Sequence, residues 1–139
     1  MRSRATPCSA EFSGSVDWGG AVALYLATYA LGGYTVVTVR GALDLSNALE
    51  LRDKFEAIVQ AHPHLIVDLA GVPLIDSTGL SVLIRADRQA AKFGGELRLT
   101  GPQWAVRKAL RTTGLDWYFA IFPSAAVAAS DPPDEPDGA

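Results

Sequence analysis

Two spacings of apolar residues alternate along this chain. The runs "ALYLATYAL" and "YTVVTVRG" are β-rich and are joined by Gly32-Gly33. That pair marks a hairpin, because both central residues of the tightest strand-matching turn need positive φ. "GALDLSN" follows as a turn. In residues 46 to 61, "SNALELRDKFEAIVQA", Ala48, Leu51, Phe55, Ile58 and Val59 recur at helical spacing, while Glu50, Arg52, Asp53 and Glu56 fall mostly elsewhere. This predicts an amphipathic helix with one core-facing stripe, ended at His62-Pro63-His64. "LIVDLA" is short, nearly all apolar and flanked by turn residues, as a strand covered on both faces should be. A second helix is predicted over 77 to 93, with Gly79, Val82, Leu83, Ala86, Ala90 and Phe93 inward and Arg85, Arg88 and Lys92 outward. Gly94-Gly95 stops it. "ELRLTG" reads as a strand and "PQWAVRKALRTTG" as a helix, with Pro102 in its first turn and Gly114 just past its end. "YFAIF" reads as a last short strand, and "PSAAVAA" as a closing helical turn or two. The order β-hairpin, α, β, α, β, α, β, α predicts one α/β domain, a mixed sheet with helices packed against it.

Outside that pattern lie two stretches without periodicity. Residues 1 to 20 are rich in Ser, Gly and Ala and are expected to form a flexible lead. The tail "SDPPDEPDGA", 130 to 139, mixes prolines with acids and is expected to be disordered. The domain itself is expected over 21 to 129. The 139-residue length of the chain suits one core and not two.

Charge changes the picture only by exclusion. The formal net charge is −3, but Asp131, Asp134, Glu135 and Asp137 sit in the tail; without them 12 basic face 11 acidic residues. A body near +1, with no concentrated basic face, does not suit nucleic acid. The single cysteine, Cys8, has no partner for an internal disulfide. His62 and His64 flank Pro63 in a connecting loop, and no second Cys or His cluster supplies a metal site, so no metal or other cofactor is expected. Arg2 and Arg4 are not followed by the apolar core of a signal peptide, and no apolar run approaches the length of a membrane helix. A cytoplasmic protein without membrane attachment is the expectation.

The chemistry concentrates in "VPLIDSTGLSVLIRA", residues 72 to 86. A nucleophile elbow would read Gly-x-Ser-x-Gly, but Ile75 occupies the first glycine position. Asp76 adjoins Ser77 in sequence, and both histidines lie in one loop, so no base-and-orienter relay is available. An aspartic-protease signature would lack the residue that intervenes here. Asp76 as a phosphoacceptor would need a phosphate-gripping glycine-rich loop that the chain lacks. No catalytic residue is assigned. Asp, Ser and Thr are ordinary helix starters, since their oxygens accept from the free N–H groups of a first turn. If Asp76 caps, however, Ser77 becomes the first helical residue and its hydroxyl is not needed for capping. It is then displayed at the helix mouth.

"VRGALD", "LIVDLAGVPLIDSTGL", "RADRQAAKFGGELRLTG" and "AVRKALRTTGL" together resemble the STAS domain, and more narrowly the anti-sigma-factor antagonists of bacterial partner-switching pathways, over residues 21 to 125. The resemblance implies a non-enzymatic regulator. Unphosphorylated, it would bind an anti-sigma factor that is itself an ATP-dependent serine kinase, and so release a sigma factor for transcription. Phosphorylated on Ser77, it would let go until a serine phosphatase resets it. Thr78 matches the family's second hydroxyl position, and Asp44 the acid that closes its Gly-x-Leu-Asp turn near the partner surface. Leu45 replaces a polar position of that turn. Leu80 and Ile84 are expected to flank the site as apolar contacts, and Asp76 to belong to the same surface. The rival reading is a STAS module that binds a nucleotide or lipid, or docks a transporter, with Ser77 only a helix start.

Overall fold

A computed structural model describes residues 15–17 and 23–130. Strands β1 (Ser15–Asp17), β2 (Ala23–Leu31) and β3 (Tyr34–Arg40) are followed by helix α1 (Ala48–Ala61) and strand β4 (His64–Gly71). Helix α2 (Ser77–Lys92), strand β5 (Glu96–Thr100), helices α3 (Trp104–Thr112) and α4 (Leu115–Tyr118), strand β6 (Ala120–Phe122) and helix α5 (Ala125–Ala129) complete the order. The six strands lie side by side in chain order. β1, β2 and β3 pair antiparallel, and β3 through β6 run parallel. The hairpin turns at Gly32 and Gly33 with φ of 58° and 89°, the doubly positive geometry the dipeptide implies.

Period-two alternation divides the sheet's side chains between two unequal cores. Leu24 and Leu26 of β2, Val37 and Val39 of β3, Leu65, Val67 and Leu69 of β4, and Leu97 and Leu99 of β5 face one side. There they meet Leu51, Phe55, Ile58 and Val59 of α1 and Leu80, Leu83, Ala86 and Ala90 of α2. The other face carries a small cluster in which Tyr34, Val36 and Ile66 pack against Ala128 of α5. β4 is therefore covered on both sides along its first half, which explains its uninterrupted apolar run.

The structure corrects several boundaries. Residues 15–17, assigned above to the flexible lead, pair with β2 as an edge strand; the remainder of 1 to 20 and residues 131 to 139 lie outside the described residues, as does Cys8. Phe93, predicted inward, is half exposed as the C-terminal cap of α2, because the helix ends one residue short of the turn that would bury it. Pro102 is buried ahead of α3, whose N-cap is Gln103. Tyr118, read as a strand residue, ends α4, a short helix that sequence periodicity is too brief to reveal. His64 is not a loop residue: it opens β4 and meets Tyr34 edge-on at 6.2 Å between ring centroids.

Among the described residues one charged side chain is buried. Arg98, on the smaller core's face of β5, is buried, with its guanidinium 2.8 Å from Glu96 Oε2 and donating to the carbonyl of Ala128 at 2.8 Å. It also lies over the rings of Tyr34 and Phe122, at 4.9 and 5.4 Å. Arginine's planar, weakly hydrated head suits this mixture of carboxylate, carbonyl and aromatic partners.

Candidate functional site

Parallel strands β3, β4 and β5 end on the same edge of the sheet, so the loops leaving them and the first turns of α1, α2 and α3 gather at one end of the molecule. Two of those loops are joined. Leu43 and Ile75 form a parallel bridge, with Leu43 N–H donating to the Leu74 carbonyl at 2.9 Å and Asp76 N–H to the Leu43 carbonyl at 3.0 Å. The loop of Asp44 is thereby held against the loop of Asp76.

Each loop is stiffened from within. Asp44 Oδ1 accepts from the Ser46 N–H at 3.0 Å and from its hydroxyl at 2.6 Å. Asn47, almost wholly buried, accepts from the Asp44 N–H at 3.1 Å and donates to the Ala42 carbonyl at 2.8 Å. In the second loop, Asp76 is the N-cap of α2. Its Oδ1 accepts from the Thr78 N–H at 2.9 Å, the Gly79 N–H at 3.1 Å and the Thr78 hydroxyl at 2.5 Å. The Thr78 hydroxyl is the main cause that holds the Asp76 carboxyl below the usual aspartate range; burial, next in size, opposes it, and the N–H groups of Gly79, Thr78 and Leu45 each add a smaller lowering. Gly79 lets this turn approach the neighbouring loop. A Cβ there would sit 2.8 Å from both the Leu43 carbonyl oxygen and Ile75 Cγ1.

Ser77 is the first residue of α2 and is exposed. Capping is performed by Asp76, so the Ser77 hydroxyl takes no part in it, as the sequence reading expects. Its carbonyl accepts from the Ser81 hydroxyl at 2.9 Å. The site differs from expectation in three ways. The Thr78 hydroxyl is committed to Asp76 rather than displayed. Leu80, expected as a surface contact, is 5% exposed and belongs to the core, because the fourth residue of α2 turns toward the sheet. Ile84 is half-buried against that core.

Apart from Leu45, already singled out in its turn, what the sequence reading missed is apolar and exposed. Leu45, Leu49, Leu74 and Trp104 are 75%, 65%, 60% and 73% exposed, and all lie at this end of the sheet, in its loops or in the first turns of α1 and α3. A shallow depression runs from Ser77 to α3, lined by Ile75, Asp76, Leu80, Ala105 and Lys108 among others. Lys108 Nζ rests over the Trp104 ring at 5.0 Å. The available signal was an apolar residue inside a turn, Leu74 after Pro73, and a tryptophan directly after a proline-led loop; neither has a helical or strand partner to bury it. Among the described residues no His, Cys, Asp and Glu group of three or more is arranged to hold a metal ion, and no helix is long and apolar enough to cross a membrane.

Comparison with known proteins gives this geometry its relatives. The chain is 30% identical over 94 residues to the anti-sigma-F factor antagonist RsfB of Mycobacterium tuberculosis, covering 65% of this chain and 74% of that protein. It is also 30% identical over 79 residues to the anti-sigma-B factor antagonist of Bacillus subtilis, covering 57% and 72%. The solved structure of an anti-sigma factor antagonist from Mycobacterium paratuberculosis superposes with a TM-score of 0.70 at 26% identity, over 83% of this chain and 97% of that one. The model of the STAS domain matches residues 25–128, from the start of the hairpin through α5, and the chain belongs to the STAS domain family.

Proposed function

We propose that this chain is an anti-sigma factor antagonist whose binding is switched by phosphorylation of Ser77. One observation carries the reading: an exposed hydroxyl, excused from capping by Asp76, stands at the end of the domain where Leu45, Leu49, Leu74 and Trp104 are uncovered. Such a surface suits a protein partner, since exposed apolar groups with an aromatic anchor are the usual centre of binding energy. The similarity to antagonists of anti-sigma factors supplies the partner's class. Ile84, Asp44 and Thr78 border the same surface, Thr78 by holding Asp76 in place.

In the unmodified state the small neutral Ser77 hydroxyl lets the partner close on the apolar side chains. The partner, an anti-sigma factor with serine kinase activity, brings ATP and the general base. As the Ser77 Oγ–phosphorus bond forms, the bond from phosphorus to the bridging oxygen breaks, ADP departs and the hydroxyl proton passes to the base. The product carries about 1.5 to 2 negative charges and three acceptor oxygens where the interface had been neutral. Asp76 stands beside it, so the surface turns strongly anionic and the partner is released. A serine phosphatase restores the hydroxyl. This protein performs no chemistry of its own.

Incubating the chain with ATP and its cognate anti-sigma kinase, then locating phosphate by mass spectrometry, tests the reading. Phosphate belongs on Ser77, and Thr78→Ala should still acquire it. Ser77→Ala should fold, bind the anti-sigma factor and resist release; Ser77→Asp should fold and bind more weakly, though less weakly than the phosphoprotein. Phosphate on Thr78 alone, or on neither residue, removes the switch from Ser77.

A further inference from the structure

Two helices meet at the depression beside Ser77, and only Asp76 and Lys108 bring charge to it. Asp76 is anionic and already takes the N–H groups of Thr78 and Gly79, so two of the first-turn donors of α2 that usually welcome a phosphate at a helix mouth are occupied. On the adjoining β3–α1 loop, the carboxylate of Asp44 is engaged by Ser46. Hydrogen bonding leaves Asp44 charged, so a phosphoryl group on Ser77 has one carboxylate beside it, a second on the adjoining loop, and one lysine across the depression. Among the described residues that lysine is held by the exposed Trp104 ring at 5.0 Å, a weak hold that a dianion outcompetes.

Resting on the assignment of Ser77 as the modified residue, we infer that Lys108 is the internal counter-cation of the phosphorylated state, leaving the Trp104 ring to pair with the Ser77 phosphate across the depression. Lys108 is then a positioning residue of the switch. The modification alters two features of the surface together: it adds an anion at α2 and strips the cation from the aromatic side chain of α3.

The test uses the full chain with phosphoserine installed at position 77 during translation, so that it does not depend on any kinase. Phosphorus NMR follows the second ionisation of the phosphate in otherwise unaltered protein and in Lys108→Met, Lys108→Arg and Lys92→Met. A nearby cation favours the dianion, so Lys108→Met should raise that pKa by on the order of half a unit at low salt, the scale of an exposed ion pair. The rise should shrink in high salt. Lys108→Arg should stay near the unaltered value, as should Lys92→Met, whose lysine lies at the far end of α2. An unchanged pKa in Lys108→Met overturns the inference, and so does an equal rise in Lys92→Met, which would reflect net charge alone. Failure of any anti-sigma kinase to modify Ser77 would instead count against the proposed function and leave this titration as it stands.

Discussion

At the scale of single residues, Asp76 has the clearest stability signature. Three donors converge on one of its oxygens, so Asp76→Ala should cost about 0.5–2 kcal/mol, the usual loss of an N-cap, read from a denaturation midpoint. The pH dependence follows in sign. A carboxyl whose folded pKa is depressed contributes stability that is fully present above its unfolded value, near 3.8, and is lost as pH falls through the folded value below it. Asp76→Asn should keep part of the cap and flatten that acid-side slope. Gly79 is the second such residue. Alanine is favoured by about 1 kcal/mol in a helix interior, yet the Leu43 carbonyl and Ile75 leave no room for its methyl. Gly79→Ala should therefore be destabilising on balance, the overpacking penalty being about 1–3 kcal/mol, and should loosen the join between the two loops.

The elements divide labour by face. α2 buries Leu80, Val82, Leu83, Ala86 and Ala90 and turns Arg85, Arg88 and Lys92 outward, with Arg85 reaching Glu56 of α1 at 3.2 Å. Leu83→Ala and Leu80→Ala should each cost about 2–5 kcal/mol, because both side chains are in the core. Leu74→Ala and Trp104→Ala should leave thermal stability within about 0.5 kcal/mol, since both side chains are exposed. Their effect belongs to binding: as the aromatic anchor, Trp104→Ala should weaken affinity for the anti-sigma factor by about 2 kcal/mol. Calorimetry of unfolding and of binding on the same variants separates the two kinds of leucine. A second tie holds α4 to α2, with the Tyr118 hydroxyl donating to Asp87 Oδ2 at 2.8 Å; burial, assisted by that carboxylate, pushes the phenol above its ordinary range.

For the molecule as a whole, the parallel half of the sheet decides where function sits. Its strands all end at one edge, and three helix mouths and two joined loops collect there. The opposite sheet face is closed at one end by α5, and Arg98 fastens that closure through Glu96 and the Ala128 carbonyl. Arg98→Ala should cost about 2–3 kcal/mol, a charged hydrogen-bond network lost beside a partly exposed Glu96. The loss should appear as earlier melting without weaker partner binding, because Ala128 lies away from the helix mouths.

Local periodicity was enough for the hairpin, the two long helices, the buried strand β4 and the Asp76 cap, because each of these is decided by neighbours within a few residues. Family resemblance in "DSTGL" named Ser77, and the cap geometry agrees with a hydroxyl left outward. The inward turn of Leu80, the exposure of Phe93, the edge strand at 15–17 and the burial of Arg98 depended on which other elements arrive from elsewhere in the chain. So did the gathering of Leu45, Leu49, Leu74, Trp104 and Lys108 at the same end of the sheet as Ser77. Pairings between residues about thirty apart, such as the bridge of Leu43 with Ile75 or the shared depression of Ser77 and Lys108, leave no periodic trace. They exist only once the strands are laid side by side.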